Sequence, residues 1–347
     1  MMPSLPIALF ALLALGGGSP DRATCTTLTV ELDTVRHEVV ITAGPFVLED
    51  HSNMPDMDHN GMHMAETDMM RFEWPAIGSL RGVDLSLHDA SGKPLPTHIL
   101  HHLAMYNFDR RGLIHRQVER LFAWGQDTRA VVLPSGVAVP LPKGEHLGFL
   151  IAWHNDLGYD IKDAYVRMTL PYAKPRDVKL QVFPWYLDVH NVNGGRNSFD
   201  LPAGRSSQRL DFQVPLSGRL IAVGGHMHDY ALDVRLVDSA RRKTLIKLDA
   251  ERAKNGDVHG TERFIFGFHE DAFPIRAHHT YALVSDYDNT SGQAIADGGM
   301  GQLNGIFQPD RPSEWPALDL NDPEVQADLK SLPPDLSCTE NVSRVPN

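Results

Sequence analysis

Apolar and polar residues alternate through most of this chain. The stretch "TLTVELDTVRHEVVITAGPFVL", Thr27 to Leu48, has the period of two that sends successive side chains to opposite faces of a half-buried β-strand. From Phe72 short runs of the same kind recur: "LRGVDLSLHD", "HILHHLAMYNF", "HLGFLIAWHN" and "DAYVRMTLPY". A second set follows, including "DVKLQVFPWYLDV", "SQRLDFQVP", "RLIAVGGHMHDYALDVRLVD", "KTLIKLDA" and "TYALVSDYDN". Gly, Pro, Asp and Asn punctuate both sets. Many short strands at regular spacing predict an all-β protein of antiparallel sandwich or jelly-roll type. No long amphipathic helix is present, and "NDPEVQADLKSL" predicts one short helix in the tail.

The 347 residues suffice for two cores of ordinary size. Prolines and charges in "PYAKPRD", Pro171 to Asp177, separate the strand sets. The expected division is a first domain over 25–176, a second over 177–310, and a Pro- and Asp-rich tail, 311–347, wrapped on the surface. "VDLSLHDASGKPL" echoes "LDVRLVDSARRKTL", which hints at duplication. Residues 1–24 contain "LPIALFALLALGGGSP", whose apolar length fits a secretory signal peptide and is too short for a membrane span, although no Lys or Arg precedes it. Gly16, Gly17 and Gly18 count against a buried helix there. The expected location is therefore secreted or periplasmic. In such a compartment Cys25 and Cys338 could close one long disulfide loop. A net charge of −12 argues against nucleic acid or an anionic membrane as partner.

Eighteen His and twelve Met are high counts for an acidic protein, and both residue types ligate metals. In "GGHMHDY", His226 and His228 stand at i and i+2 and share a strand face, so one ion could meet both; two surface histidines remain the alternative. In "LHHLAMYN", adjacent His101 and His102 would point to opposite faces unless the strand twists or bulges. His154, in "IAWHND", ends a buried run, where it is either a ligand or a core histidine bonded to the backbone. Met300 sits in "DGGMGQ", where a thioether either packs or serves as a soft ligand. His190 is a weaker candidate. His115 and most of the remaining histidines read as solvated. Separately, "HSNMPDMDHNGMHM" brings His51, Met54, Met57, His59, Met62, His63 and Met64 into a loop within 50–70, a composition suited to capturing copper; six methionines between Met54 and Met70 are hard to justify by solubility.

The order HH, WHN, HxH, M, with its flanking text from Phe72 to Pro309, resembles the copper type II, ascorbate-dependent monooxygenases, the family of peptidylglycine α-hydroxylating and dopamine β-monooxygenases. The resemblance implies two tandem jelly-roll domains with a copper site on each. His101, His102 and His154 would hold an electron-relaying copper, and His226, His228 and Met300 the copper that meets dioxygen. It implies hydroxylation of a substrate C–H bond with two copper ions and electrons from ascorbate or another donor. Asp229 or Asp286 would orient the imidazoles. The peptide-amidating branch has an arginine where this chain has Gly224, so a peptide C-terminus is not the expected substrate. The expected partners are a small-molecule substrate and a reductant. Two rival expectations stand beside this one: a copper storage, delivery or tolerance protein of the same fold, and a non-catalytic β-sandwich module.

Overall fold

The structure is a computed structural model that describes residues 26–52, 65–125, 130–191 and 197–335. The first domain contains β1 (Thr27–Asp33), β2 (Glu38–Leu48), β3 (Met70–Glu73), β4 (Gly82–His88), β5 (Leu100–Arg111), β6 (Val118–Gly125), β7 (Val131–Val132), β8 (His146–Trp153) and β9 (Ile161–Ala173). They form two facing sheets, in the orders β1-β2-β9-β4-β7 and β3-β8-β5-β6. From β2 to β9 the chain passes between these sheets in the winding of a jelly roll.

The second domain repeats that winding. Its main strands are β10 (Phe183–Asp188), β11 (Gly204–Gln213), β12 (Gly218–Met227), β13 (Ala231–Asp238), β14 (Lys243–Arg252), β15 (Arg263–Ile265), β16 (Phe273–Ile275), β17 (Thr280–Asn289) and β18 (Gly301–Pro309). One sheet runs β10-β18-β12-β15, with β16 also paired to β12; the other contains β11-β17-β13-β14. The two domains are therefore tandem jelly rolls. The textual echo is not the trace of that likeness. Its first half begins in β4 and its second in β13, strands that occupy different places in the two windings. Alternating short strands produce such echoes because the period of two is common to all of them.

Alternation fills each sandwich from both sheets. The first core gathers Leu28, Ile41, Trp74, Leu103, Phe149 and Met168, and the second Trp185, Leu220, Leu236, Leu283, Tyr287 and Phe307. Each large apolar side chain fully buried this way contributes about 1.5–3 kcal/mol. Met70 belongs to the first core, at 2% exposure, and Met69, at 0%, to a smaller cluster with Tyr106, Phe108 and Leu150. Two of the six methionines ahead of Arg71 are thus core residues rather than copper-capturing ones.

Between the two sandwiches the chain makes a 3-10 turn, Pro175–Asp177. The tail then returns to the first domain as a strap. The Trp315 indole stacks on Phe183 at 4.2 Å and donates its N–H to the Arg111 carbonyl at 2.9 Å. The expected helix is α1 (Pro323–Ser331), capped by the Asp322 carboxylate accepting the Glu324 N–H. Asp328 of α1 grips Arg120 of β6, and the Met69 N–H reaches the Pro334 carbonyl beyond.

Candidate metal centre

Adjacent His101 and His102 point the same way because of a bulge. In the pairing of β5 with β8, Leu100 faces Trp153 and His102 faces Ala152, so His101 is the extra residue. Two residues opposing one turns both side chains toward one side. The Nδ1 atoms of His101 and His102 lie 2.9 Å apart, within hydrogen-bond reach, so when the rings are neutral one is donor and the other acceptor. His154 follows β8 and donates its N–H to the Ile99 carbonyl, two residues before His101. It alternates with Ala152, which pairs with His102, so the register puts His154 on the same face as His102. Yet among the described residues no three His, Cys, Asp or Glu side chains form a ready-made cage. The pair is assembled; His154 shares its sheet edge without closing a triad.

The second cluster sits where β12 and β18 run side by side. His226 pairs with Gln302 and Met227 with Gly301, so the next step of the same register sets His228 beside Met300. His226, His228, Met300 and Gln302 therefore share one face of the sheet. The two imidazole rings are 5.6 Å apart and nearly perpendicular. The glycines flanking Met300 fix its position rather than loosening it. A Cβ on Gly301 would stand 2.6 Å from the Ser285 Cβ, and one on Gly299 only 2.1 Å from the Phe199 ring. Gly225 likewise lies close under Thr261, whose hydroxyl accepts the Gly225 N–H at 3.1 Å and donates to its carbonyl at 2.9 Å.

Tyr287 of β17 ties this corner together. Its hydroxyl oxygen accepts the backbone N–H groups of Met300, at 2.9 Å, and of His228, and it donates to the Met300 carbonyl. Burial, against those backbone donors, pushes the phenol up to about 12. On the other side the Gln302 side-chain amide reaches the Met300 sulfur at 3.5 Å and the buried Asp188 carboxylate at 2.8 Å. Burial pushes Asp188 up to about 6. None of Tyr287, Gln302 and Asp188 was evident from the chain alone; the only pointer is the i, i+2 spacing of Met300 and Gln302.

The half-sites of the two domains feel one another. His228 is held down at about 3, first by the protein packed around its ring and then by His226, His101 and His102. A metal at this corner would thus find His228 neutral, with its lone pair available. The donor set also suits copper, since imidazole accepts both oxidation states and a thioether favours Cu(I).

Other sequence expectations resolve differently. Asp229 accepts the Val258 N–H at 2.8 Å and Asp286 pairs with Arg235; among the described residues neither carboxylate orients an imidazole. His115 is buried, not solvated: its Nε2 accepts the Asp188 N–H at 3.0 Å, and burial holds the ring down at about 3. The His190 N–H caps the same carboxylate at 2.8 Å. Of the His/Met-rich loop, His51 is placed, with its N–H on the Asn155 carbonyl, and Ala65 pairs with Trp153. Met54, Met57, His59, Met62, His63 and Met64 lie outside the described residues, as do residues 1–24, Cys25 and Cys338. Among the described residues no helix is long and apolar enough to cross a membrane.

No family model matches the chain, and no curated protein matches it. Among solved structures, a structure from Sulfolobus Turreted Icosahedral Virus aligns with TM-score 0.38 and 8% identity over 85% of this chain and 97% of that one. The major capsid protein P2 of bacteriophage PM2 aligns with TM-score 0.33 and 11% identity over 77% and 98%. PNGF-II aligns with TM-score 0.31 and 10% identity over 79% and 66%. At these values none bears on what the chain does. The expected kinship with copper type II, ascorbate-dependent monooxygenases is corrected: neither family models nor curated proteins support it. The physical reason is that the resemblance rested on short histidine motifs and on flanking strand text whose period of two is common to many sheets. Paired histidines on strands arise independently in many sheets, and their order is weak evidence of descent.

Proposed function

We propose that the chain is a copper-dependent monooxygenase that hydroxylates a substrate C–H bond with dioxygen and an external reductant such as ascorbate. The observation that carries this reading is the shared sheet face of His226, His228 and Met300, within electrostatic reach of His101 and His102 from the other domain. It rests on that geometry and not on kinship. His226, His228 and Met300 would hold one copper; His101 and His102, with His154 drawn in from the same edge, would hold a second. Bound copper would supply one-electron redox steps and reactivity toward dioxygen.

The residues themselves do the rest. Gly224 continues the His226 face without a side chain of its own, and the Arg263 side chain, from its partner position on β15, stands beside it. Tyr287 fixes the backbone of both His228 and Met300, so the thioether stays beside the imidazoles. Hydroxylation consumes one dioxygen, two electrons and two protons per substrate and releases one water. The leader-like residues 1–24 support an oxidising compartment, secreted or periplasmic, as the setting.

A second reading is copper storage, delivery or tolerance without turnover. It is favoured by the unclosed triad around His101 and His102. Oxygen uptake by copper-loaded protein with ascorbate and candidate small-molecule substrates separates the two. The enzyme reading expects substrate-dependent uptake with a hydroxylated product, lost in His228→Ala and in His102→Ala while each variant keeps one copper. Two bound coppers with no substrate-dependent uptake would leave the handling reading standing.

A further inference from the structure

We propose that Gln302, oriented by Asp188, is the positioning residue that aims the Met300 thioether at His226 and His228. The inference rests on the reading of Met300 as a copper ligand. Methionine has three rotatable bonds and no directional preference of its own, so a useful thioether must be held by something else.

The Gln302 amide cannot be turned over. Its Nε2 donates to the Asp188 carboxylate at 2.8 Å, and its Oε1 accepts the Asn304 side-chain N–H at 3.1 Å. Exchanging nitrogen and oxygen would set acceptor against carboxylate and donor against donor. With one hydrogen of Nε2 on Asp188, the other is shared between the Met300 Sδ and the Tyr186 hydroxyl oxygen, each 3.5 Å from the nitrogen. A donor on one sulfur lone pair leaves the other for a soft cation.

Asp188 is itself immobilised. It is fully buried at the end of β10, and its Oδ1 accepts the His190 N–H at 2.8 Å. The Tyr186 hydroxyl donates to Oδ2 at 3.3 Å, and the Asp188 N–H donates to His115 Nε2 at 3.0 Å. A buried carboxylate needs such partners to remain in place. A chain of contacts thus runs from the interior of the second domain through Asp188 and Gln302 to the sulfur. Tyr287 holds the backbone of the same methionine from the opposite side.

The test exchanges donor and acceptor. The double variant Asp188→Asn, Gln302→Glu keeps an amide–carboxylate hydrogen bond at the same place but turns a carboxylate toward the sulfur. Gln302→Leu, alone, removes the donor and serves where the double variant fails to fold; Met300→Leu runs in parallel. Each is loaded with Cu(I), and the readouts are Cu(I) affinity, the Cu(II)/Cu(I) potential and the sulfur shell in copper X-ray absorption. The expected result for the exchange and for Gln302→Leu is loss of the sulfur shell, with Cu(I) affinity down about tenfold or more, as for removal of other residues that orient a metal ligand. A tenfold loss of Cu(I) over Cu(II) lowers the potential by about 59 mV for one electron. If both variants keep the sulfur shell and wild-type Cu(I) affinity while Met300→Leu loses them, the positioning role is overturned. If Met300→Leu changes nothing either, Met300 is not a ligand, and both this inference and the reading beneath it fall.

Discussion

Asp328→Ala is the sharpest probe of how the two domains are held together. Asp328 sits in α1 of the tail with its side chain 1% exposed, against an Arg120 side chain 15% exposed in β6. The contact is two-pronged, Arg120 Nη1 to Oδ2 at 2.7 Å and Nη2 to Oδ1 at 2.5 Å. Oδ2 also accepts the Val118 N–H at 3.0 Å. The alanine variant removes all three bonds and leaves a guanidinium without its counter-ion. Arg120 keeps the Tyr106 ring face at 5.0 Å, the Tyr186 ring at 5.9 Å, the Val118 carbonyl at 2.8 Å and a longer-range attraction to the buried Asp188 carboxylate. Breaking one partner of a buried pair costs about 3–5 kcal/mol, because the remaining charge is stranded. Urea unfolding followed by tryptophan fluorescence measures the loss, and hydrogen exchange locates it. The expected pattern is a lower midpoint at unchanged slope, with amides of 323–331 losing protection first. The double variant Arg120→Met, Asp328→Leu, which strands no charge but leaves the Val118 N–H without its acceptor, should recover part of the loss, to within about 1–3 kcal/mol of wild type. A loss below about 1 kcal/mol in Asp328→Ala, the range of exposed pairs, would refute the strap as described.

Two further changes test other parts of the account. Glu119 is 1% exposed beside Arg110, and burial, only partly offset by Arg110, pushes its carboxyl from 4.5 up to about 7. A raised carboxyl favours the folded state only while it is protonated. Stability should therefore fall by about 3 kcal/mol as pH rises from roughly 4.5 to 7 on account of this group. Glu119→Gln should flatten that slope in unfolding measured across the range, and an unchanged slope would contradict the assignment. Tyr287→Phe keeps the ring but strands the half-buried Met300 backbone groups, for an expected cost of about 1–3 kcal/mol in thermal or chemical unfolding. It should also weaken Cu(I) binding in a chelator competition; wild-type Cu(I) affinity would show that the hydroxyl does not hold the corner.

Fold and site were legible to different depths. Period-two alternation and regular turn signals are local properties, so the all-β class and α1 could be read directly. Sheet order is non-local, so nothing in the text marked which strands correspond between domains, and the echo misled. His226 and His228 were legible because i, i+2 spacing alone puts them on one face. His101 and His102 posed a conflict that only a bulge resolves, and bulges leave no dependable trace in sequence. Met300 was suspected from its odd setting among glycines, but its place beside His228 is set by pairing with a strand some 75 residues earlier. Tyr287, Gln302 and Asp188 escaped notice because their role comes from cross-strand contact. His115 was misread as solvated because burial of a lone polar residue depends on tertiary packing.

Copper loading followed by metal counting and X-ray absorption of the reduced protein tests the central claim most directly. Two coppers per chain are expected, one of them with a sulfur scatterer that disappears in Met300→Leu. One copper or none, or two coppers bound by nitrogen and oxygen alone, would contradict it.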